Sequence, residues 1–215
     1  MIRLCDVHPC GESLRVSYGV LNLTHRDCHE TPAPLVPGRR YQVRVQLNDA
    51  GAVLPAGHKV RLALSTSYWP MVWPSPEQAT LTVLGGTLDL PARPPQATDA
   101  LLSPLPDPES APPEKPAIIR RDEMRIERID RIGLELGREH RSRFHVEDDD
   151  PLSAVAEVRQ TETMSRDAWQ IRVETRIRLS CTRDAFLLQG SLCAWERANE
   201  ACRREWDRAI PRDFL

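Results

Sequence analysis

The residues best equipped for chemistry fall into a few small groups. Cys5, His8, Cys10, His25, Cys28 and His29 lie within the first thirty positions, and thiolate and imidazole are ligands that suit zinc. Their spacings match no zinc finger, there is no C-x-x-C pair, and Thr24 to Glu30 reads as a polar loop after a strand. With Cys181, Cys193 and Cys202 near the other end, the pattern is unlike a dense secreted framework, so six reduced thiols and no metal site are expected. Asp148-Asp149-Asp150-Pro151 could offer oxygens to a hard cation, but no Gly and no second acidic cluster complete a loop. It reads as a turn entering a strand. Arg172, Arg176 and Arg178 could grip a phosphate, yet their interleaving with Glu174 points to a solvated sheet face with cross-strand ion pairs. His58 follows Gly57 at a strand start and reads as a turn residue, since no partner for a catalytic base is in sight.

One cluster stands apart. Tyr68, Trp69, Met71 and Trp73 are bracketed by Pro70, Pro74 and Pro76, in a chain whose aromatic content is only 5%. So much rigid aromatic surface in so few residues must plug a core or cover another surface. Tyr68, Trp69 and Trp73 are therefore the candidate site residues, as interface or substrate-shaping groups, and no catalytic residue is assigned.

The elements that must position this knot are strands. Val60, Leu62 and Leu64 alternate with Lys59, Arg61, Ala63 and Ser65, which predicts a strand with one face buried and one toward solvent or a partner. Leu14, Val16, Tyr18 and Val20 form a second period-two set, Tyr41, Val43, Val45 and Leu47 a third, and Leu81 to Leu84 a short fourth that ends at Gly85-Gly86. Pro9-Cys10-Gly11, Pro37-Gly38 and Pro55-Ala56-Gly57 supply the turns between them. Many short strands with Gly and Pro turns indicate a sandwich.

Between residues 91 and 116 nine prolines occur, too many to pair in a sheet and with too little apolar surface to order the segment alone. This is read as a semi-rigid linker; no basic residue flanks a PxxP core so as to fix the orientation of a polyproline ligand. Beyond it the β pattern returns. Trp169 to Cys181 alternates without a break, which predicts a long antiparallel strand with one wet face. Polar turns at Ser165-Arg166-Asp167 and Thr182-Arg183-Asp184 suggest a meander through about Leu152 to Met164, Ala168 to Cys181 and Ala185 to Trp195. From Trp195 onward helical spacing and strand compete; a strand is expected. The chain thus divides into a unit over 1–90, the linker over 91–116 and an antiparallel β unit over 117–215.

Charge excludes more than it assigns. The chain carries 29 basic and 31 acidic groups for a net charge of −2, and interspersed signs leave no electrostatic footprint for nucleic acid. No apolar run approaches the roughly eighteen residues of a membrane span, and no signal peptide opens the sequence. A cytoplasmic protein without cofactors is expected, with a homo-oligomer compatible with the sequence.

The stretches Arg3 to Asp27, Pro34 to Glu77 and Trp206 to Leu215 carry a resemblance. The order of strand, PAGH turn, strand and YWP..WPSP loop, with the closing W-D-x-x-I-P-R-D, resembles the C-terminal β-domain of the CocE/NonD hydrolases, which include Xaa-Pro dipeptidyl-peptidases and cocaine esterase. The resemblance implies an all-β fold, a jelly roll of the galactose-binding type, followed here by the second antiparallel unit. It also implies a parent serine hydrolase that cleaves X-Pro dipeptides, esters or amides, whose triad sits in an α/β-hydrolase domain. That domain needs a G-x-S-x-G nucleophile elbow, and no such pentapeptide occurs here. Family members also enter this region in mid-strand, so N-terminal strands are expected to be missing, as in a fragment or split gene product, or to come from a neighbouring chain. The expected function is a non-catalytic module, inactive alone, that packs on an α/β-hydrolase catalytic domain and shapes its substrate site. A stand-alone carbohydrate-binding or protein-interaction module is the alternative.

Overall fold

The computed structural model describes residues 1–94, 96 and 118–214; most of the Pro-rich segment assigned as a linker lies outside them. The architecture is all-β, in two antiparallel sheets. The first holds β1 (Ile2–Val7), β2 (Ser13–Gly19) and β3 (Lys59–Leu64) in the order β2-β1-β3. Its core is the central strand, where Leu4, Cys5, Asp6 and Val7 are all buried between the two neighbours. A bulge places the extra residue Val16 on β2, between the partners of Leu4 and Cys5, while the β1–β3 ladder runs without a shift.

The second sheet is a six-stranded meander: β4 (Ile118–Ile129), β5 (Leu134–Glu147), β6 (Asp150–Arg166), β7 (Trp169–Cys181), β8 (Ala185–Glu196) and β9 (Asn199–Pro211), each paired with the next. β7 has the bounds that its alternation predicts, and the segment after Trp195 is a strand. Tight turns hold the sheet together. Asp149, Asp167 and Arg197 take left-handed backbone (φ 62°, 53° and 53°), as does Gly133 before β5. Two aspartates in such positions follow a known tolerance of that residue type, and the Asp148-Asp149 turn enters β6 as the sequence suggests.

Register assigns the faces of this sheet. Phe144, Ala156, Leu179 and Leu188 stand directly opposite one another across β5 to β8 and define an apolar face, which continues through Cys181, Phe186 and Ile210. The reverse face carries the charged partners, with Arg176 bonding Glu157 at 2.8 Å across strands and Arg172 beside Glu174 at 3.3 Å. Among the described residues no large side chain is fully buried, because a single sheet layer covers its apolar face only where another element crosses it.

Three expectations fail in the first unit. The segments around Tyr41 to Leu47 and Leu81 to Leu84 are not strands. The former instead passes the end of β2: Ser17 Oγ donates to the Asn48 carbonyl at 2.6 Å and Asn48 N–H to Tyr18 O at 2.9 Å. Gly19 lets that crossing come close, since a Cβ there would collide with the Gln46 carbonyl. The face of Val60, Leu62 and Leu64 is also not buried; these residues are 46%, 39% and 51% exposed. β3 is an edge strand of the sheet.

Candidate functional site

The aromatic knot is built directly after β3. A short bridge pairs Tyr68 with Val72, closed by the Val72 N–H to Tyr68 O bond at 2.9 Å, around a cis Trp69-Pro70 peptide. The bridge sends the aromatics in two directions. Tyr68 turns back to the first sheet: its hydroxyl accepts from Arg15 at 2.9 Å, and the Arg3 guanidinium lies over its ring. Trp69 and Trp73 turn toward the second sheet. Their rings meet edge to face at 5.1 Å; Trp69 then meets Phe144 of β5 at 6.2 Å and Trp73 meets Phe186 of β8 at 5.7 Å. All three contacts have the T-shaped geometry that aligns the positive edge of one ring with the negative face of another. The Trp73 indole also donates to Cys181 Sγ at 3.3 Å.

The closing segment returns to the same place. Arg212 is buried and donates from Nη2 to Pro74 O at 2.6 Å and from Nη1 to Thr182 O at 3.2 Å, with its guanidinium over Phe186. Two carbonyls and an aromatic face meet this charge, without a carboxylate among the described residues. The Phe214 carbonyl accepts from Asn22 Nδ2 at 2.9 Å and Thr24 Oγ1 at 2.6 Å, while Arg183 pairs with Glu77. The aromatic knot and the closing segment after β9, far apart in the chain, therefore touch. Spacing alone could not show this, because they are separated by most of the second sheet.

His58 has a partner after all. Its Nδ1 lies 2.9 and 3.0 Å from the two oxygens of Asp6, with both side chains largely buried, and the His8 ring lies tilted against it with centroids 4.1 Å apart. The antiparallel register that sets Asp6 opposite Val60 and Val7 opposite Lys59 brings His58 to the end of β1. Nothing in the sequence marks Asp6 as the partner, because its inward position follows from β1 being the central strand. As chemistry the pair holds two members of a triad, for no Ser, Thr or Cys side chain hydrogen-bonds His58 among the described residues. The pair instead satisfies a buried carboxylate beside the turn at Gly57.

The cysteines and histidines do not gather. All six cysteines are free, and among the described residues no group of three His, Cys, Asp or Glu side chains is arranged to hold a metal ion. His25 and His29 stack on each other at 5.5 Å, apart from Cys5 in the buried strand. Hydrogen bonds with Thr31 hold the Cys28 thiol below its ordinary pKa, and burial pushes that of Cys193 up. Among the described residues no helix is long and apolar enough to cross a membrane.

Residues 1–118 match the family model of the X-Pro dipeptidyl-peptidase C-terminal non-catalytic domain. The chain belongs to that family. The match takes in β1 to β3, the His58–Asp6 pair and the whole aromatic knot, and it ends at the start of the second sheet. Neither the curated proteins nor the solved structures contain a match to the chain. The family's description as non-catalytic agrees with the missing nucleophile elbow and with a His–Asp pair that serves the fold.

Proposed function

We propose that this member of the X-Pro dipeptidyl-peptidase C-terminal domain family works as the accessory part of a CocE/NonD-type serine hydrolase. It packs on the α/β-hydrolase catalytic domain and helps to shape the mouth of the substrate site. The family match over residues 1–118 carries this reading. The open apolar face of β3 supports it, since Val60, Leu62 and Leu64 form a stripe that a water-soluble protein covers with a partner surface. Tyr68, Trp69 and Trp73 lie at the end of that strand, half-buried, and Met71 between them is 49% exposed. In this arrangement the knot ties the two β units together with its indoles and offers its outer edge to the catalytic domain.

The first unit, over 1–90, is on this reading a jelly roll of the galactose-binding type. Residues 91–116 link it to the second unit, 117–215, in a cytoplasmic enzyme. Mixing the purified chain with a CocE/NonD-type α/β-hydrolase domain from the same organism should give a stable complex by size-exclusion chromatography, and Leu62→Asp should abolish it. Alone, the chain should not turn over proline-containing dipeptide anilides or acyl esters. Turnover by the isolated chain, or a catalytic domain that ignores it, would overturn the proposal.

A further inference from the structure

The charged face of the six-stranded sheet carries an arrangement that ion pairing does not account for. Register places Arg141, Arg159 and Arg176 directly opposite one another across β5, β6 and β7. In the next row Arg120 stands opposite Arg143, and Arg143 and Arg178 flank Glu157. Directly opposed side chains in a sheet have Cβ atoms about 5 Å apart, and like charges so placed repel. Six guanidiniums therefore occupy two adjacent rows. The acids in those rows across the same four strands are Asp122 and Glu157.

The available acids are already shared. Glu157 takes Arg176 at 2.8 Å and Arg178 at 3.9 Å, and Glu139 from the neighbouring row pairs with Arg141. Arg120, Arg143 and Arg159 are left without an ion pair among the described residues. On the far side of the second row, where His145 stands opposite Val155, a cleft of about 150 Å³ is lined by Arg143, His145, Val155, Glu157 and Arg178. Its size falls below the roughly 300 Å³ at which pockets for drug-sized ligands begin, but it admits an oxyanion group. Planar guanidiniums are the side chains suited to grip such a group through paired N–H donors.

We propose that this face binds a small phosphate-bearing ligand, with one oxyanion seated between Arg143, His145 and Arg178 and a second charge over Arg159 and Arg141. The ligand relieves the cross-strand repulsion that the fold otherwise carries. The inference is independent of the catalytic partner, because the stripe proposed for that partner lies on β3.

Calorimetric titration of the full chain at low ionic strength tests it, with pyrophosphate and inorganic phosphate as probes. Pyrophosphate should bind near one equivalent and more tightly than phosphate. Arg143→Gln and Arg159→Gln, both exposed positions, should each weaken it by about tenfold, the loss expected for one charge-assisted hydrogen bond. Arg172→Gln, whose side chain pairs with Glu174 outside these rows, should change it by no more than roughly twofold. Circular dichroism confirms folding of each variant, and Arg178→Gln, which also lines the cleft, replaces any that does not fold. No heat at millimolar pyrophosphate, or an equal loss in Arg172→Gln, overturns the proposal. So does duplex DNA or RNA that binds more tightly than pyrophosphate through the same arginines.

Discussion

The two sheets reach similar backbone regularity by opposite routes. In the first, β1 pairs with β3 across the whole intervening stretch 8–58, so the strand that forms the core must wait for a distant partner. In the second, consecutive strands pair through turns of a few residues, and every ladder is local. Closing a long loop costs more chain entropy than closing a short one, and that cost precedes the reward of the contact. The difference shows in what each unit buries. The first concentrates its burial on one strand, Leu4 to Val7, whereas the second spreads half-buried positions over a wide layer and reaches full burial only at points such as Ala154.

The knot is where these two regions meet, and removing it is the strongest way to break the comparison. Trp73→Ala deletes the contacts to Trp69 and Phe186 and the bond to Cys181 together. A loss of about 3 kcal/mol is expected for truncating a packed Trp. If the knot couples the sheets, urea unfolding should also split into two transitions; a single sharp transition in this variant would show that they are coupled by other contacts.

A smaller effect separates the first sheet from the second. Asp6→Ala leaves His58 without its carboxylate inside β1's surroundings and should cost about 1–3 kcal/mol, the range for an unsatisfied buried partner. Hydrogen exchange should rise in β1 and β3 and stay unchanged in β6 and β7. Protection lost evenly across both sheets would contradict the division.

The smallest effect belongs to the charged face. The Arg176 guanidinium hydrogen-bonded to Glu157 holds its carboxyl below the ordinary glutamate pKa, with Arg178 adding to it. A depressed folded-state value means that this contribution is present above the unfolded pKa, near about 4.3, and is lost as pH falls through the folded value. Because Arg176 and Arg178 are 50% and 42% exposed, the effect should not exceed about 1 kcal/mol. Glu157→Gln should therefore flatten the acid limb of stability below about pH 4.5 and leave the limb above neutrality unchanged. An acid limb identical to that of the parent chain would show that the pair contributes nothing.

How legible each part was follows from the same contrast. β7 and the meander around it could be read residue by residue, because alternation and turn chemistry are local signals and the partner strand is the next one. The segments at Tyr41 to Leu47 and Leu81 to Leu84 carry similar alternation but do not pair, since a period-two pattern states which residues could share a face and not whether a neighbour is available. His58 was misread for a related reason: its partner, Asp6, lies on a strand that reaches it only through a non-local ladder.

By itself the sequence determined the all-β class, the bounds of β7 and the course of the meander around it, the absence of a nucleophile elbow and the family, through motifs whose meaning is carried in a few adjacent residues; β4 and β5 were not read from it. Tertiary structure alone decided where the aromatics point, that the C-terminal tail closes over Pro74, and that Arg141, Arg159 and Arg176 stand in one row. Those facts depend on register, and shifting one strand by a single residue would send every one of its side chains to the other face.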